Sequence, residues 1–174
     1  NKVTAGPPMI HSHKSFSLLE VILAVTFLMV GVVSILGLVV AVLSTVTSAR
    51  NNVIAAQLAQ EGVEIVRSLR DSNWQAIIAW NSGFIRTGSC PGLSCVWRVH
   101  WLSNSLQPPA GNPPLLYDSS LGYNYNSGAA TIFSRAVTIS EITADELQVI
   151  VEVTWSERGQ NRSVKVEDRL FNWF

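Results

Sequence analysis

The feature that most constrains this chain is an apolar run at residues 21–49, which contains no charged side chain in 29 consecutive positions. About 20 apolar residues in a helix already span the hydrocarbon core of a bilayer. A secretory signal peptide has an apolar region of only about 7–15 residues. The run is therefore too long for a signal peptide, even though it ends in the small residues Thr47, Ser48 and Ala49.

One carboxylate, Glu20, stands at the leading edge of this run, and Lys14 and Ser15 stand shortly before it. Burying an ionised Glu in hydrocarbon costs about 3 kcal/mol or more, so such a residue needs a partner. A basic residue followed by a small one is what a processing site requires. The simplest alternative is a plain signal anchor that carries a Glu near its start by chance.

Residues 13–24 read HKSFSLLEVILA. This segment closely resembles the N-terminus of type IV prepilins and type II secretion pseudopilins, in which a basic leader and a small residue precede Phe-[Thr/Ser]-Leu-[Leu/Ile]-Glu and a long apolar helix. The resemblance implies that a membrane-embedded prepilin peptidase cuts between Ser15 and Phe16 and methylates the new amino terminus. It also implies that Glu20 pairs with the amino group of Phe16 on a neighbouring subunit. The family usually has Gly where this chain has Ser15, whose small side chain is expected to permit cleavage.

The mapped cut makes residues 1–15 a leader, in which Met9 is a candidate start and residues 1–8 lie upstream of it. Removing Lys2 and Lys14 leaves 10 basic residues against 12 acidic ones, a net charge of −2. The chain therefore has no excess of basic residues, and no specific nucleic-acid partner is expected. The basic residues before the run favour a cytoplasmic N-terminus and a domain outside the membrane.

The helix is expected to continue beyond the membrane segment, 16–49, into an amphipathic half at 50–73. Apolar residues recur there at spacings of three and four, as Ile54, Leu58, Gly62, Ile65 and Leu69, flanked by Ala55, Ala59, Val63 and Val66. The opposite face carries Arg50, Asn51, Gln57, Gln60, Glu61, Glu64, Arg67 and Arg70. A polar segment at residues 71–73 offers an exit from the helix.

Residues 74–174 are expected to form one globular domain whose C-terminal part is an antiparallel sheet. Alternating apolar positions predict strands at residues 131–140, 147–155 and 163–170, with one breach at Ile150 and a turn at 156–160. An alternating run at 96–102 is followed by an irregular segment at 103–130, in which Tyr117, Tyr123 and Tyr125 offer contact chemistry. The predicted fold is α+β: a long N-terminal helical stem, apolar then amphipathic, packed on a C-terminal antiparallel sheet in a pilin-like arrangement.

Cys90 and Cys95 bracket four turn-forming residues. Outside the cytoplasm, two cysteines this close can form a disulfide that staples the loop, although five-residue separation does not guarantee the bridging geometry. Free thiols therefore stay open as an alternative. A metal site ranks well below the disulfide, because it needs more ligands and His100 is the one histidine after the leader.

The sequence contains no nucleophile elbow, phosphate-binding glycine loop or metal-binding histidine motif, so no enzymatic activity and no cofactor are expected. The adjacent carboxylates Asp145 and Glu146 are expected to be solvated. Trp97 and Trp101 share parity with Val99, which favours packing over a ligand site.

Segments at 61–64, 71–74 and 151–164 resemble minor, pilus-modification-type prepilins. The resemblance implies a minor subunit of a type IV pilus-like filament, a fimbrial role in adhesion or assembly, and partners that include prepilin peptidase, other pilin subunits and the membrane. The precursor is expected in the cytoplasmic (inner) membrane, and the filament in the periplasm or outside the cell. A type II secretion pseudopilin and a non-polymerising, single-pass membrane-anchored binding domain are the alternatives.

Overall fold

A long helix is followed by six antiparallel strands in residues 17–109 and 111–173, the parts of the chain that the computed structural model describes. The elements are α1 (Leu18–Gln75), β1 (Ser94–Trp97), β2 (Pro114–Asp118), β3 (Gly122–Asn124), β4 (Ala129–Thr143), β5 (Glu146–Glu157) and β6 (Gln160–Phe171). The predicted α+β class, with a helical N-terminal stem and an antiparallel sheet after it, is confirmed.

The strands form one sheet in the order β3-β2-β4-β5-β6, and β1 also pairs with β4. The 15-residue strand β4 has room for two partners along one edge. Its C-terminal half pairs with β1, and its N-terminal half pairs with β2. The β5–β6 hairpin pairs over its full length, from Glu146 with Phe171 to Glu157 with Gln160. Arg158 and Gly159 form its tight turn, both with positive φ, as a type I′ turn requires.

α1 begins after Ser17, whose carbonyl accepts the N–H groups of Glu20 and Val21 at 3.0 and 3.2 Å. It ends at Gln75, two residues beyond the predicted exit at 71–73. The difference arises because the carbonyls of Ser72 and Asn73 still accept hydrogen bonds from the turn that follows the helix. These residues therefore supply the last helical carbonyls rather than the first loop residues.

The chain divides into two compact units, with the boundary between Val46 and Thr47. In the first unit, the large apolar side chains of α1 from Leu18 to Val46 are exposed. In the second unit, α1 buries one face, formed by Ala55, Leu58, Ala59, Gly62, Val63 and Val66. The predicted apolar face of the amphipathic half is therefore the buried one, and Ile54, Ile65 and Leu69 are partly buried at its margins.

The core of the second unit combines this helix face with the inward residues of the sheet. β5 alternates without interruption, so that Leu147, Val149, Val151, Val153 and Trp155 are all buried. Ile150 does not break this pattern, because register places it on the other face, opposite Thr138 and Glu167. The predicted strands at 131–140 and 147–155 lie within the longer β4 and β5.

The part of the chain between residues 96 and 130 differs from the sequence expectation. In the alternating run at 96–102, β1 ends at Trp97, and Trp101 is half exposed rather than packed. The segment 103–130 is not irregular throughout, because it contains the β2–β3 hairpin. The Asp118 carboxylate shapes this turn by accepting the N–H groups of Ser120 and Leu121 at 2.8 and 3.1 Å.

Candidate functional site

In the described part of the first unit, α1 is a helical segment whose large apolar side chains are exposed. Within the described residues, α1 is the one helix long and apolar enough to cross a membrane, and the 18-residue window with a mean hydropathy of 2.8 has none of its residues buried. Side chains such as Phe27, Leu28 and Val40 are more than two-thirds exposed. Such a surface is compatible with a membrane anchor or with a helix covered by neighbouring apolar helices.

The polar side chains of this segment satisfy themselves locally. Thr26, Ser34 and Thr45 each donate a hydroxyl hydrogen bond to the carbonyl four residues earlier, at 2.7, 2.8 and 3.1 Å. Back-bonding of this kind removes an unpaired donor from the helix surface. The segment can therefore enter an apolar environment without leaving these hydroxyls unsatisfied, which would otherwise be costly.

Glu20 is the exception in this segment. It lies in the first turn of α1 and is exposed, where a carboxylate interacts favourably with the positive end of the helix dipole. Ser17 and Glu20 also have the Ser-x-x-Glu spacing of a capping box. Within the described residues, no cationic side chain contacts the Glu20 carboxylate. The predicted processing residues, Ser15 and Phe16, lie outside the described residues.

In the second unit, a glycine allows α1 to approach the sheet closely. A Cβ atom placed on Gly62 would lie 2.8 Å from Val151 Cγ1 and 3.4 Å from Arg135 Cδ. Real Cβ atoms essentially never show contacts as short as the first of these. Gly31 and Gly37, in the apolar segment of the same helix, have no atom within 4 Å of that position. Gly62 therefore serves close packing, whereas Gly31 and Gly37 have no such packing role among the described residues.

A buried arginine fixes the helix to the sheet beside this glycine. Arg135 is fully buried in β4, and its guanidinium donates to the Leu58 carbonyl at 2.9 Å and to Glu61 Oε1 at 3.2 Å, where it forms an ion pair. It also donates to the Val99 carbonyl. A buried guanidinium needs such partners, because an unpaired buried charge is strongly destabilising. Arg135 therefore joins α1, β4 and the segment after β1.

The same cluster contains a buried histidine. His100 is 3% exposed, its ring meets that of Tyr125 edge to face at 6.2 Å, and its Nδ1 has no partner in the described part of the chain. Burial, with Arg135 nearby as a smaller cause, lowers the pKa of His100 from its ordinary value of 6.5, although Glu61 opposes the shift. The neutral imidazole is therefore the form that the fold accepts.

We expect the second unit to lose stability in mild acid because of His100. Its pKa is lowered in the folded state, so the unfolded chain binds the proton first. This contribution to stability is complete above the ordinary value of 6.5 and is lost as the pH falls through the lowered pKa. Thermal melting between pH 7.5 and 5 measures it. The His100→Gln variant should show a flatter dependence, and an equally steep profile in that variant would contradict the assignment.

A second ion pair attaches the outer part of α1 to the last strand. Arg67 Nε donates to Asp168 Oδ2 on β6 at 2.9 Å, and Arg67 also contacts Glu64. The hydrogen bond from Arg67 to Asp168 is the main cause that raises the pKa of Arg67. Arg67 and Glu61 belong to the predicted polar face of the helix, and in the structure both contact charged partners on the sheet.

Cys90 and Cys95 are joined by a disulfide in the structure, with their Cα atoms 5.9 Å apart. Thr87 and Cys90 also exchange backbone hydrogen bonds at 2.8 and 3.0 Å, which closes the adjoining turn. The loop is short, so it removes less unfolded-state entropy than a 15-residue loop, for which the chain-entropy model gives about 3 kcal/mol. The bridge is therefore expected to order the loop more than it stabilises the domain.

Oxidation of this pair in the natural compartment is directly measurable. Protein extracted from membranes with a thiol-blocking reagent present and then denatured without reductant should show no reactive thiol. After reduction, it should show both Cys90 and Cys95. Two thiols that react in the denatured, unreduced chain would mean that the bridge does not form.

The tyrosines assigned to contact chemistry separate into different roles. Tyr125 donates its hydroxyl to the Arg135 carbonyl at 3.1 Å, and burial raises its pKa. Tyr117 and Tyr123 pair across β2 and β3 with ring centroids 5.2 Å apart. Of the three, Tyr117 is the half-exposed one. The chemistry available to a partner from this group is therefore that of Tyr117.

Acidic, cysteine and histidine side chains do not assemble into a metal-binding group anywhere in residues 17–109 or 111–173. Asp145 and Glu146 point to different partners, since Asp145 Oδ1 accepts from Asn172 and Glu146 pairs with Arg169. Trp97 is buried, as expected for a packing residue, and its Nε1 donates to the Phe84 carbonyl at 2.9 Å. Trp101 is half exposed instead.

Sequence reasoning missed the Arg135 cluster. The available signal was parity: Arg135 occupies an inward position of β4, between the buried residues Phe133 and Val137. A charged residue at such a position requires a partner on the element that covers it. Comparison with known proteins adds no assignment, because no family model, curated protein or solved structure matches this chain.

Proposed function

We propose that this chain is a subunit of an extracellular type IV pilus-like filament, cut between Ser15 and Phe16 and polymerised through α1. The observation that carries the proposal is the first unit, an uncovered apolar helix with one carboxylate, Glu20, in its first turn. In a helix that only crosses a bilayer, this carboxylate can cap its own first turn, but its burial in hydrocarbon without a cation is costly. A filament supplies a cation for it, the amino terminus of a neighbouring subunit.

The second unit supports the same proposal. Its core is complete without the first unit, since the buried apolar residues all lie between Ala55 and Leu170. The apolar segment is thus free to enter lipid before assembly and to pack among other subunits after it. The resemblance of the N-terminal residues to prepilins gives the direction of processing, and the resemblance to pilus-modification-type prepilins favours a minor subunit.

The decisive experiment analyses filaments sheared from cells. Mass spectrometry of the sheared fraction should find this chain beginning at Phe16 with a methylated amino terminus, in far smaller amount than the main subunit. Membranes from cells without the prepilin peptidase should retain a chain that still carries Lys14. A chain cut after Ala49, or one absent from every sheared fraction but present in membranes, would contradict the proposal and favour an anchored binding domain.

A further inference from the structure

A pocket of about 270 Å³ lies in the second unit, between the end of α1 and the loops on either side of the disulfide. Ligand sites for drug-sized molecules have volumes of about 300–1,000 Å³, so this pocket suits a smaller ligand. It lies apart from the apolar segment of α1 in sequence. The filament role proposed above does not use it.

The lining of this pocket is polar but uncharged. Its described residues include three serines and an asparagine that are exposed and have no side-chain partner in the described part of the chain, namely Ser82, Ser89, Asn104 and Ser105. None of the residues that line it is acidic or basic. An ionic ligand would find no counter-charge among these residues, so nothing in the lining would compensate for the hydration that its charge gives up on binding. The lining therefore selects a neutral ligand with many hydroxyl groups.

The inner wall of the pocket is apolar. Its partly exposed apolar side chains are those of Leu69 from α1 and Leu106, whereas Phe84 and Trp97, which also line the pocket, are buried. A sugar ring combines apolar C–H faces with hydroxyl groups at its edge, and an apolar wall beside a hydroxyl and amide rim matches both features. Water molecules could hydrogen-bond to the polar rim, but they would make no favourable apolar contact with the inner wall.

The walls of the pocket are held in place before any ligand enters. Asn73 Nδ2 donates to the carbonyls of Trp80 and Ser82 at 3.1 and 3.0 Å, which fixes the segment after α1. Trp97 Nε1 donates to the Phe84 carbonyl at 2.9 Å, which joins the two aromatic residues. A preformed site loses less conformational entropy on binding, so less of the contact energy is offset and affinity is higher.

We infer that this pocket binds one neutral sugar residue, such as a terminal hexose or N-acetylhexosamine of a surface glycan. The rim hydroxyls and the Asn104 amide would hydrogen-bond to the sugar hydroxyls, and the inner wall would cover one face of the ring. This binding does not depend on polymerisation. It would occur equally in a filament subunit and in an anchored binding domain.

Saturation-transfer NMR on the full chain in a detergent without a sugar headgroup tests the inference. The probes are methyl glucoside, methyl galactoside and N-acetylglucosamine, with glucuronate and glucose 6-phosphate as charged counterparts. At least one neutral probe should bind, and each charged probe should bind at least tenfold more weakly than it. The Ser105→Phe variant should weaken binding at least tenfold, because the larger side chain fills an exposed part of the rim.

The matched control is Ser163→Phe, which makes the same change at an exposed position of β6, away from this pocket. It should leave binding unchanged. Near-UV circular dichroism establishes that both variants are folded, and Asn104→Ala provides a second, smaller change in the rim. Absence of binding by all neutral probes, equal binding of the charged ones, or unchanged binding in Ser105→Phe and Asn104→Ala would each overturn the inference.

Discussion

Replacing Glu20 by alanine is expected to lower the amount of this subunit in filaments about 100-fold. The physical reason is that the proposed partner, the amino group of Phe16 on a neighbouring subunit, would then be buried without a counter-charge. An unpaired charge in hydrocarbon costs about 3 kcal/mol, and each 1.4 kcal/mol is a factor of about ten in an equilibrium constant. Quantitative mass spectrometry of sheared filaments, normalised to the membrane pool of the same chain, measures the loss.

The Glu20→Gln variant separates two roles of this side chain. Glutamine keeps the spacing and hydrogen-bonding capacity of a capping box with Ser17, but it carries no charge. If Glu20 acts through its charge, both variants leave the filament while processing and membrane insertion persist. If Glu20→Gln incorporates normally, the side chain caps its own helix and the charge-pairing role is wrong. Glu64→Ala, at an exposed position of α1, should incorporate as the natural chain does.

The largest expected effect on stability comes from replacing Gly62 by leucine. Leucine is a good helix former, so the change carries no penalty of helix propensity. The cost arises because its Cβ alone would lie 2.8 Å from Val151 Cγ1, inside a packed core. Overpacking typically costs about 1–3 kcal/mol and occasionally more. We expect a loss near the top of that range, and a melting temperature lower by about 10 °C.

The matched control for this variant is Gly37→Leu in the same helix, where no atom lies within 4 Å of the Cβ position. Thermal melts of the full chain in detergent, followed by near-UV circular dichroism, compare the two. The Gly37 variant should melt with the natural chain, and Gly62→Ala should fall between. A Gly62→Leu variant that melts like the natural chain would show that α1 does not pack against β5 as described.

The parts of the fold that the sequence predicts are those with an unbroken period. The face of α1 around Leu58 and Val63 follows from spacings of three and four, and the inward face of β5 follows from alternation. Hydrophobic periodicity depends only on residues close together in sequence, so it can be recognised without knowing the contacts that distant parts of the chain make. Ile150, the one breach in the sequence pattern, adds an apolar side chain to the opposite face of β5.

The parts that the sequence does not predict depend on contacts between distant residues. The position of Arg135 inside the sheet is tolerable because Glu61 lies 74 positions earlier and accepts its hydrogen bond. No local pattern contains that pair. The β2–β3 hairpin is missed for a related reason: its strands are short, and prolines and glycines around them read as loop until β4 provides a partner. The residues of the inferred sugar pocket likewise come from several loops.

The free edge of the sheet has a consequence for behaviour at high concentration. β6 is the last strand in the sheet order and is 12 residues long, whereas the strand at the opposite end, β3, has three. A long exposed edge invites pairing with other chains, and charged side chains discourage it. Lys165, Glu167 and Arg169 alternate along the exposed side of β6. A strand from another chain that paired with β6 would need side chains of complementary charge opposite these three residues. The charge pattern therefore disfavours edge-to-edge pairing when the domains are concentrated.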